Sequence, residues 1–415
     1  MKNNKVKHFL STFICLIMIL LLLIPISALL ERKASYEKYA DFFEQDQDFD
    51  VLFFGTSHMI NDVFPMELWN DYGIVSYNFG GHGNQLATSY WVMQNAFDYT
   101  TPKLVVIDCM LLQCAEKANN DFSLLHYSFD AFPLSKNKIA AAFDLLDDPQ
   151  FEDVADGAGR TRSRLIWDFT IYHNRWNDLT SQDFIPQISP EKGAESRIAV
   201  TQPDSWEKIA STEKLNRETT GSIYLERMIQ TCQTKGIDVL LTYLPYPAGE
   251  DEQKEANQVN EIAEKYGINY INFLELDLIN ESTDYYDSAS HLNPSGARKI
   301  TDYLGKFISA NYSIPNQKEN ALYQNWEADY ARYSEFKLEN LHSAESLEIY
   351  LMLLSDKNYS CVVELSDDHI LENKLYAELL DNIPNCTIQK TSSDIPIQIS
   401  VYDKNSQLVD STSWE

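Results

Sequence analysis

The sequence predicts an α/β protein built on a parallel five-stranded sheet with helices on both faces. Two observations carry this prediction. Short, nearly continuous apolar runs such as "DVLFFG" (50–55) alternate with longer amphipathic stretches, and glycines close several elements of both kinds. Strands that are apolar throughout are typical of parallel sheets covered on both sides. The alternation itself favours strand–helix–strand units.

In chain order, the elements of this sheet follow from the same pattern. Strands are predicted at 50–55, 74–80, 103–109, 237–247 and 268–273. Helices are predicted at 65–73, 84–99, 221–236, 250–267 and 293–309. Glycines at the ends of three of these helices suit left-handed C-caps, and Pro294 suits a first helical turn. Together these elements define a domain at 49–312.

The alternation stops between about 112 and 220, where the chain is rich in polar, aromatic and Asp residues. We expect a largely helical insertion there, with helices at 137–148 and 160–179.

Two further segments follow the sheet domain. Residues 310–330 are polar and are expected to form a linker. A small α+β domain is predicted at 330–415, with helices at 343–356 and 373–383 and strands at 359–367 and 395–403.

The N-terminus differs from the rest of the chain. Residues 9–30 contain no charged side chain. A helix of this length is long enough to cross a bilayer. Lys2, Lys5 and Lys7 precede it and predict a cytoplasmic N-terminus. We therefore expect a single-pass protein of the cell membrane, with a charged helical stalk at 31–48 and an extracytoplasmic C-terminal domain. The alternative is a cleaved signal peptide.

Charge and cysteine content limit the classes of partner. The chain has 33 basic and 62 acidic residues, a formal charge of −29, which disfavours nucleic acid. Five cysteines lie outside the apolar segment, with irregular spacing; Cys361 and Cys386 are the best candidates for a single disulfide. No His or Cys spacing predicts a metal site, and no nucleotide-binding fingerprint predicts a cofactor.

Three polar stretches follow strands of the predicted sheet: Gly55-Thr56-Ser57, "NFGGHGN" (78–84) and "DSASHLNPSGA" (287–297). Ligands of open α/β sheets bind outside the carboxyl ends of the strands, so these stretches are expected to face one crevice. Ser57 is then a candidate nucleophile, His291 its base and Asp287 the residue that orients the base. The glycine run offers backbone N–H groups for an oxyanion.

Each feature alone has an ordinary explanation. A serine there is commonly a helix cap, a histidine a polar loop residue, and a glycine run a tight turn. Their joint occurrence in this order along one sheet favours the catalytic interpretation.

The order and wording of these motifs resemble the SGNH/GDSL hydrolase superfamily over about residues 48–310. Ser57 matches the serine of the first block, Asn78 to Gly83 resemble the second block, and Asp287 with His291 approximate the last. The resemblance implies an acyl-serine mechanism with Ser57 and Gly83 forming the oxyanion hole. "HLNPSG" (291–296) and the apolar N-terminus look most like the DltD- and alginate-acetylation-type members, which act on cell-surface polymers.

Two departures from the family pattern stand out. The segment after the third strand, "VVIDCMLLQ" (105–113), has no Asn, so one oxyanion donor is unassigned and Asn84 is a weak substitute. Asp287 precedes His291 by four residues instead of three, which leaves Asp284 as a second candidate.

Further residues are candidate substrate contacts. His58 and His82 flank the predicted site, and Asn84 ends the glycine run. His173 and Arg175 lie in the insertion, where they could bind an anionic or sugar group. The alternative for "YHNRW" (172–176) is a solvated helix face.

The sequence thus predicts a membrane-anchored esterase or O-acetyltransferase of the cell envelope, acting on a cell-surface polysaccharide or glycopolymer. A membrane acyl-donor protein is a further expected partner. The rival hypothesis is a non-catalytic surface or assembly factor that kept the fold and lost the chemistry.

Overall fold

The computed structural model describes most of the chain. The described residues are 2–147, 157–167, 169–185, 187–202, 211–288, 291–366, 369–392 and 395–414.

A five-stranded sheet forms the centre of the larger domain. Its strands are β1 (Val51–Phe54), β2 (Ser76–Asn78), β3 (Leu104–Asp108), β4 (Asp238–Tyr243) and β5 (Asn269–Asn272). The spatial order is β2-β1-β3-β4-β5, and each neighbouring pair is parallel. The predicted fold class is confirmed, and each strand lies inside its predicted range.

The helices are numbered in chain order. Those before β3 are α1 (Lys2–Leu30), α2 (Lys33–Glu44), α3 (Ser57–Asp62), α4 (Pro65–Tyr72) and α5 (Leu86–Ala96). Those between β3 and β4 are α6 (Phe122–Phe129), α7 (Lys136–Leu145), α8 (Gly157–Ile166), α9 (Phe169–Tyr172), α10 (Ser181–Phe184) and α11 (Thr220–Lys235). The rest are α12 (Glu250–Tyr266), α13 (Pro294–Asn311), α14 (Asn325–His342), α15 (Leu347–Leu353), α16 (His369–Glu372) and α17 (Lys374–Asp381).

Helices cover both faces of the sheet because alternate strand side chains point to opposite sides. Leu52 and Phe54 of β1 pack into a core shared with α2, α5, α11, α12 and α14. Val51 and Phe53 pack into a second core with α3, α4 and α13. All four β1 side chains are buried, which explains the uninterrupted apolar run that predicted this strand.

The predicted stalk at 31–48 is wrong as a separate element. Residues 33–44 are helical, but Tyr39 and Phe42 of α2 lie in the core beside the sheet. Charged residues on the other positions of α2 give the segment a polar composition, which concealed its apolar face.

The predicted linker at 310–330 is wrong in the same way. It runs into α14, whose Trp326 is fully buried and packs against Trp69 at 5.4 Å between ring centroids. Buried Lys192 connects the two misjudged segments, because its ammonium lies 2.8 Å from Asp41 of α2 and 2.6 Å from Asp329 of α14.

The insertion is helical only in its first part. The predicted helix at 160–179 is divided into α8, α9 and a 3₁₀ turn at Arg175–Asn177; the predicted helix at 137–148 corresponds to α7, and residue 148 lies outside the described residues. The described residues between 187 and 219 form no helix or strand. Part of this segment runs along the edge of the sheet, where Asn78 N donates to Lys192 O at 3.0 Å.

A second sheet lies near the C-terminus. Its strands are β6 (Ser360–Leu365), β7 (Cys386–Lys390), β8 (Ile397–Tyr402) and β9 (Leu408–Trp414), in the order β7-β6-β8-β9. The sequence predicted β6 and β8 but not β7 and β9, which have no fully buried side chain. Cys361 and Cys386 stand directly opposite each other in β6 and β7 as free thiols.

Helix α1 is long and apolar enough over Lys5–Leu30 to cross a membrane. Its apolar side chains are exposed along most of its length, whereas Ser27 and Leu30 in the last turn are buried.

Because Trp326 packs inside the sheet domain, Trp326→Ala is expected to lower the free energy of unfolding by about 3–5 kcal/mol, the usual loss for a buried tryptophan. Denaturant melts of the detergent-solubilised protein measure this change. The matched control is Leu322→Ala on the preceding turn, which is 65% exposed and should change stability by less than about 0.5 kcal/mol. Equal melts for the two variants would contradict the placement of α14 in the core.

Candidate active site

The candidate nucleophile lies where β1 turns directly into α3. Thr56 is the N-cap of α3, and its hydroxyl accepts the N–H of His58 at 3.2 Å. Gly55 allows the tight turn, since a Cβ there would fall 2.8 Å from the Cβ of Asp108 at the end of β3. Ser57 therefore begins α3 at the carboxyl edge of the sheet.

Ser57, His291 and Asp287 form one hydrogen-bonded chain. Ser57 Oγ lies 2.7 Å from His291 Nε2. His291 Nδ1 lies 2.9 Å from Asp287 Oδ2 and 3.2 Å from Oδ1. The tautomer with its proton on Nδ1 donates to Asp287 and leaves Nε2 to accept from Ser57. A general base must reach this distance from the proton that it removes.

The loop before α13 accommodates the four-residue spacing between Asp287 and His291. Tyr286 N donates to His291 O at 2.8 Å, and Tyr285 and Leu292 form an antiparallel bridge. His291 N donates to Asp287 Oδ1 at 3.1 Å, so the carboxylate binds both the backbone and the ring of His291.

Asp284 is engaged elsewhere. This fully buried carboxylate lies 2.6 Å from Lys299 Nζ and accepts from Ser295 Oγ at 2.9 Å and Asn280 N at 2.8 Å. It joins the loop to the start of α13, and the hydrogen bonds of its carboxylate within the described part of the chain go to residues other than His291. The geometry thus favours Asp287 over Asp284 as the partner of the imidazole.

Two residues that the sequence analysis missed hold this loop. Asn293 caps α13 by accepting from Ser295 N at 3.0 Å, and its amide donates to Thr283 O at 2.8 Å. Asp62, at the end of α3, accepts from Leu292 N at 3.2 Å. The Asn-Pro pair at 293–294 was a readable capping signal. Nothing in the sequence connects Asp62 with a residue so far along the chain.

His58 is buried next to His291, with only 7% of its surface exposed. Its ring lies 4.7 Å from the His291 ring and 5.3 Å from Tyr246, centroid to centroid. Neither ring nitrogen has a hydrogen-bond partner within the described part of the chain. Burial, with a smaller contribution from His291, lowers the pKa of His58 to about 3, so the ring is neutral near pH 7.

The glycine run brings its loop against α3. Gly80 N donates to Asn78 Oδ1 at 2.9 Å and Gly81 N donates to Gly55 O at 3.1 Å, so both groups are occupied. A Cβ on Gly80 would fall 2.5 Å from Ile60 N. Gly83 has a φ of 64°, in the left-handed region that favours glycine.

Asn84 follows the run with a buried side chain. Its Oδ1 accepts from Ser128 Oγ at 2.9 Å, while its Nδ2 lies next to Gly81 and has no hydrogen-bond partner among the residues that the structure describes. An unpartnered buried donor is costly in a folded protein, which makes this amide a candidate ligand contact.

A charged group supports the same loop. Buried Lys38 of α2 donates to Gly80 O. His82 Nε2 lies 3.1 Å from Glu195 Oε2, which also accepts from Arg197 at 2.9 Å. Burial alone raises the pKa of Glu195, but the hydrogen bond from His82 and the Lys38 ammonium lower it to about 2. His82 belongs to the motif "NFGGHGN" (78–84), whereas no sequence pattern marks Lys38, Glu195 or Arg197.

His173 and Arg175, the two candidates in the insertion, bond to residues outside the Ser57–His291–Asp287 chain. Arg175 donates to Leu30 O at 2.5 Å and Glu31 O at 2.8 Å, and pairs with Asp183 at 3.0 Å. Its guanidinium therefore binds the end of α1, and a substrate contact for Arg175 stays a prediction. His173 is exposed and its ring bonds to a carbonyl oxygen of its own turn.

Comparison with known proteins gives limited similarity. No family model and no curated protein matches the chain. Among solved structures, a putative acylhydrolase from Bacteroides fragilis NCTC 9343 is 12% identical, with 68% of this chain and 98% of that chain covered and a TM-score of 0.32. A GDSL-like lipase from Bacteroides thetaiotaomicron VPI-5482 is 12% identical, with 67% and 99% covered and a TM-score of 0.32. No role of an individual residue follows from similarities this low.

The contacts of Asp287 and Asp284 predict opposite phenotypes. Asp287→Asn should keep the melting temperature but lower the rate on a simple acetyl ester by as much as about 10⁴-fold, because the amide favours the wrong imidazole tautomer. Asp284→Asn should retain the rate of the folded protein but lose about 1–3 kcal/mol of stability, because buried hydrogen bonds are broken. Thermal melts and ester kinetics on both variants test this. A crippled but stable Asp284→Asn would reverse the assignment.

The neutral state of His58 predicts a pH dependence of stability. Between its ordinary pKa of 6.5 and its folded pKa of about 3, the unfolded chain binds a proton that the folded chain does not. Stability is therefore lost as the pH falls below 6.5, by about 2 kcal/mol at pH 5 from this group. His58→Phe keeps the aromatic packing and should remove that part of the decline in denaturant melts at pH 7 and pH 5. Parallel declines in parent and variant would refute a buried neutral His58.

Proposed function

We propose that this chain is a membrane-anchored, SGNH-type serine acyl-ester hydrolase or O-acyltransferase. The observation that carries the proposal is the chain of contacts from Ser57 Oγ through His291 to Asp287, at 2.7 and 2.9 Å. Nucleophile, base and orienting carboxylate are the three parts that acyl transfer through serine requires.

In the proposed mechanism, Ser57 Oγ attacks the ester carbonyl while His291 Nε2 takes its proton. His291 then returns the proton to the leaving alcohol, which yields an acyl-Ser57 enzyme. Asp287 holds the ring and stabilises the imidazolium. In the second half, His291 activates the acceptor: water gives hydrolysis, and a sugar hydroxyl gives O-acyl transfer.

The oxyanion requires donors aimed at the carbonyl oxygen. We assign the backbone N–H groups of Ser57 and Gly83 to this role, with Asn84 Nδ2 as the third donor in place of the Asn that is absent after β3. The support for Asn84 is its buried amide without a hydrogen-bond partner in the described part of the chain.

Neutral His58 beside His291 would favour the proposed proton transfer, because a second positive charge there would oppose formation of the imidazolium.

The proposed substrate is an acyl ester of a cell-surface polysaccharide or glycopolymer, with a membrane acyl-donor protein as partner in the transferase case. Support comes from α1, which suits a membrane anchor, and from the resemblance to members that act on such polymers. The chain would then lie in the cell membrane with its catalytic domain outside.

A fluorophosphonate probe tests the catalytic proposal, because only an activated serine reacts with it. The full chain should be labelled, Ser57→Ala should not, and His291→Ala should react at least about 100-fold more slowly. The control is Ser343→Ala, at an exposed serine of the C-terminal region, which should label like the parent. Absence of labelling in the folded parent would favour the non-catalytic alternative.

A second assay separates the two reactions. The acetylated enzyme is incubated with water alone or with an added oligosaccharide, and free acetate and acetylated sugar are measured. Acetylated sugar as the main product identifies a transferase, and acetate in both cases identifies an esterase.

A further inference from the structure

Four large apolar side chains of the insertion are exposed in one region of the chain. Trp167, Trp176, Phe184 and Ile185 are exposed to 43, 55, 63 and 78%, and we call them the apolar rim. Single exposed apolar residues are ordinary, but two tryptophans with Phe and Ile on neighbouring short elements usually mark a binding surface.

The apolar rim is tied to the end of α1. Arg175, next to Trp176, donates to the carbonyls of Leu30 and Glu31. The same guanidinium pairs with Asp183, the residue before Phe184. Helices α9 and α10 both contact α1. Arg175 and Asp183 thus hold the segment against α1, while their sequence neighbours remain exposed.

The length of α1 gives the depth of this contact. The apolar span Lys5–Leu30 has 26 residues, about 39 Å at the rise of an α-helix. The hydrocarbon core of a bilayer is about 30 Å thick, so the Leu30 end would reach the level of the lipid headgroups. Tryptophan is enriched at that level because its ring is apolar and its N–H is polar.

The local charge also suits a lipid surface. The chain as a whole carries −29, yet the sequence of residues 157–167 holds three arginines and no acidic residue. Arg162 among them pairs with Asp147 at 3.2 Å and keeps a quarter of its side chain exposed. Basic side chains next to exposed aromatic ones are typical of segments that lie on anionic lipid headgroups.

We propose that the apolar rim inserts into the headgroup region of the bilayer that α1 crosses, on the side of the catalytic domain. The domain is then held to the membrane at two places, the anchor and the rim, which fixes its orientation. This inference rests on the proposed membrane anchoring and is independent of the proposed catalysis.

The tryptophans of the chain provide the test. Helix α1 contains none of the seven, so quenching of tryptophan fluorescence by lipid reports on the rest of the chain. The full chain is reconstituted into vesicles whose phosphatidylcholine carries bromine high on the acyl chains, and into unbrominated vesicles. The parent should be quenched by the brominated lipid. The W167F/W176F double variant should lose most of that quenching, while the W91F and W414F controls should keep it.

Flotation of the vesicles distinguishes membrane anchoring by α1 from insertion of the apolar rim. W167F/W176F should still float with the lipid, because α1 remains, and should hydrolyse a soluble ester at the parent rate. Floating protein whose quenching is unchanged in W167F/W176F would overturn the proposal, as would a parent that does not float. An unquenched parent that forms a dimer, lost in W167F/W176F, would assign the rim to a second copy of the chain instead.

Discussion

The packing of α13 against α3 determines whether the candidate site can form. His291 follows β5 at the far edge of the sheet, whereas Ser57 follows β1 near the opposite edge. The two meet because α13 crosses back over the sheet face that carries α3. Buried Thr301 of α13 joins the two helices, accepting from Phe64 N at 3.0 Å and donating to Asp62 O at 3.4 Å. This packing keeps His291 at a fixed distance from Ser57, as the proposed acyl transfer would require.

Much of this arrangement could be predicted from the sequence, because the central strands β1, β3 and β4 are buried on both faces and are therefore largely apolar. The meeting of the three polar stretches could also be predicted, since the carboxyl ends of parallel strands lie at one edge of the sheet. Which carboxylate contacts the His291 ring could not be predicted by counting residues. It depends on the bridge between Tyr285 and Leu292, which folds Asp287 back onto His291 and leaves Asp284 to Lys299. The role of Asp62 in holding this loop could not be predicted either, because its partner Leu292 lies far along the chain.

The failed predictions share a physical cause. Segments 31–48 and 310–330 have a polar average composition, but burial depends on the face that a helix presents. Helices α2 and α14 bury aromatic residues on one face and place charged residues around Lys192 on another. A buried ammonium between two carboxylates is tolerated because each charge is paired. Such pairing is a property of three distant segments together, and no window of the sequence contains it.

Helix α2 connects the candidate site directly to the end of α1. Only Glu31 and Arg32 separate α1 from α2, and Lys38 of α2 donates to the carbonyl of Gly80 in the glycine loop. Arg175 fixes the end of α1 from the other side. A flexible stalk would let the domain sample many orientations, whereas this short, hydrogen-bonded connection joins the glycine loop to α1 through one helix. If α1 crosses the bilayer, the fold sets the height and direction of the crevice, and the proposed acyl transfer would then be restricted to acceptors at a given distance from the membrane.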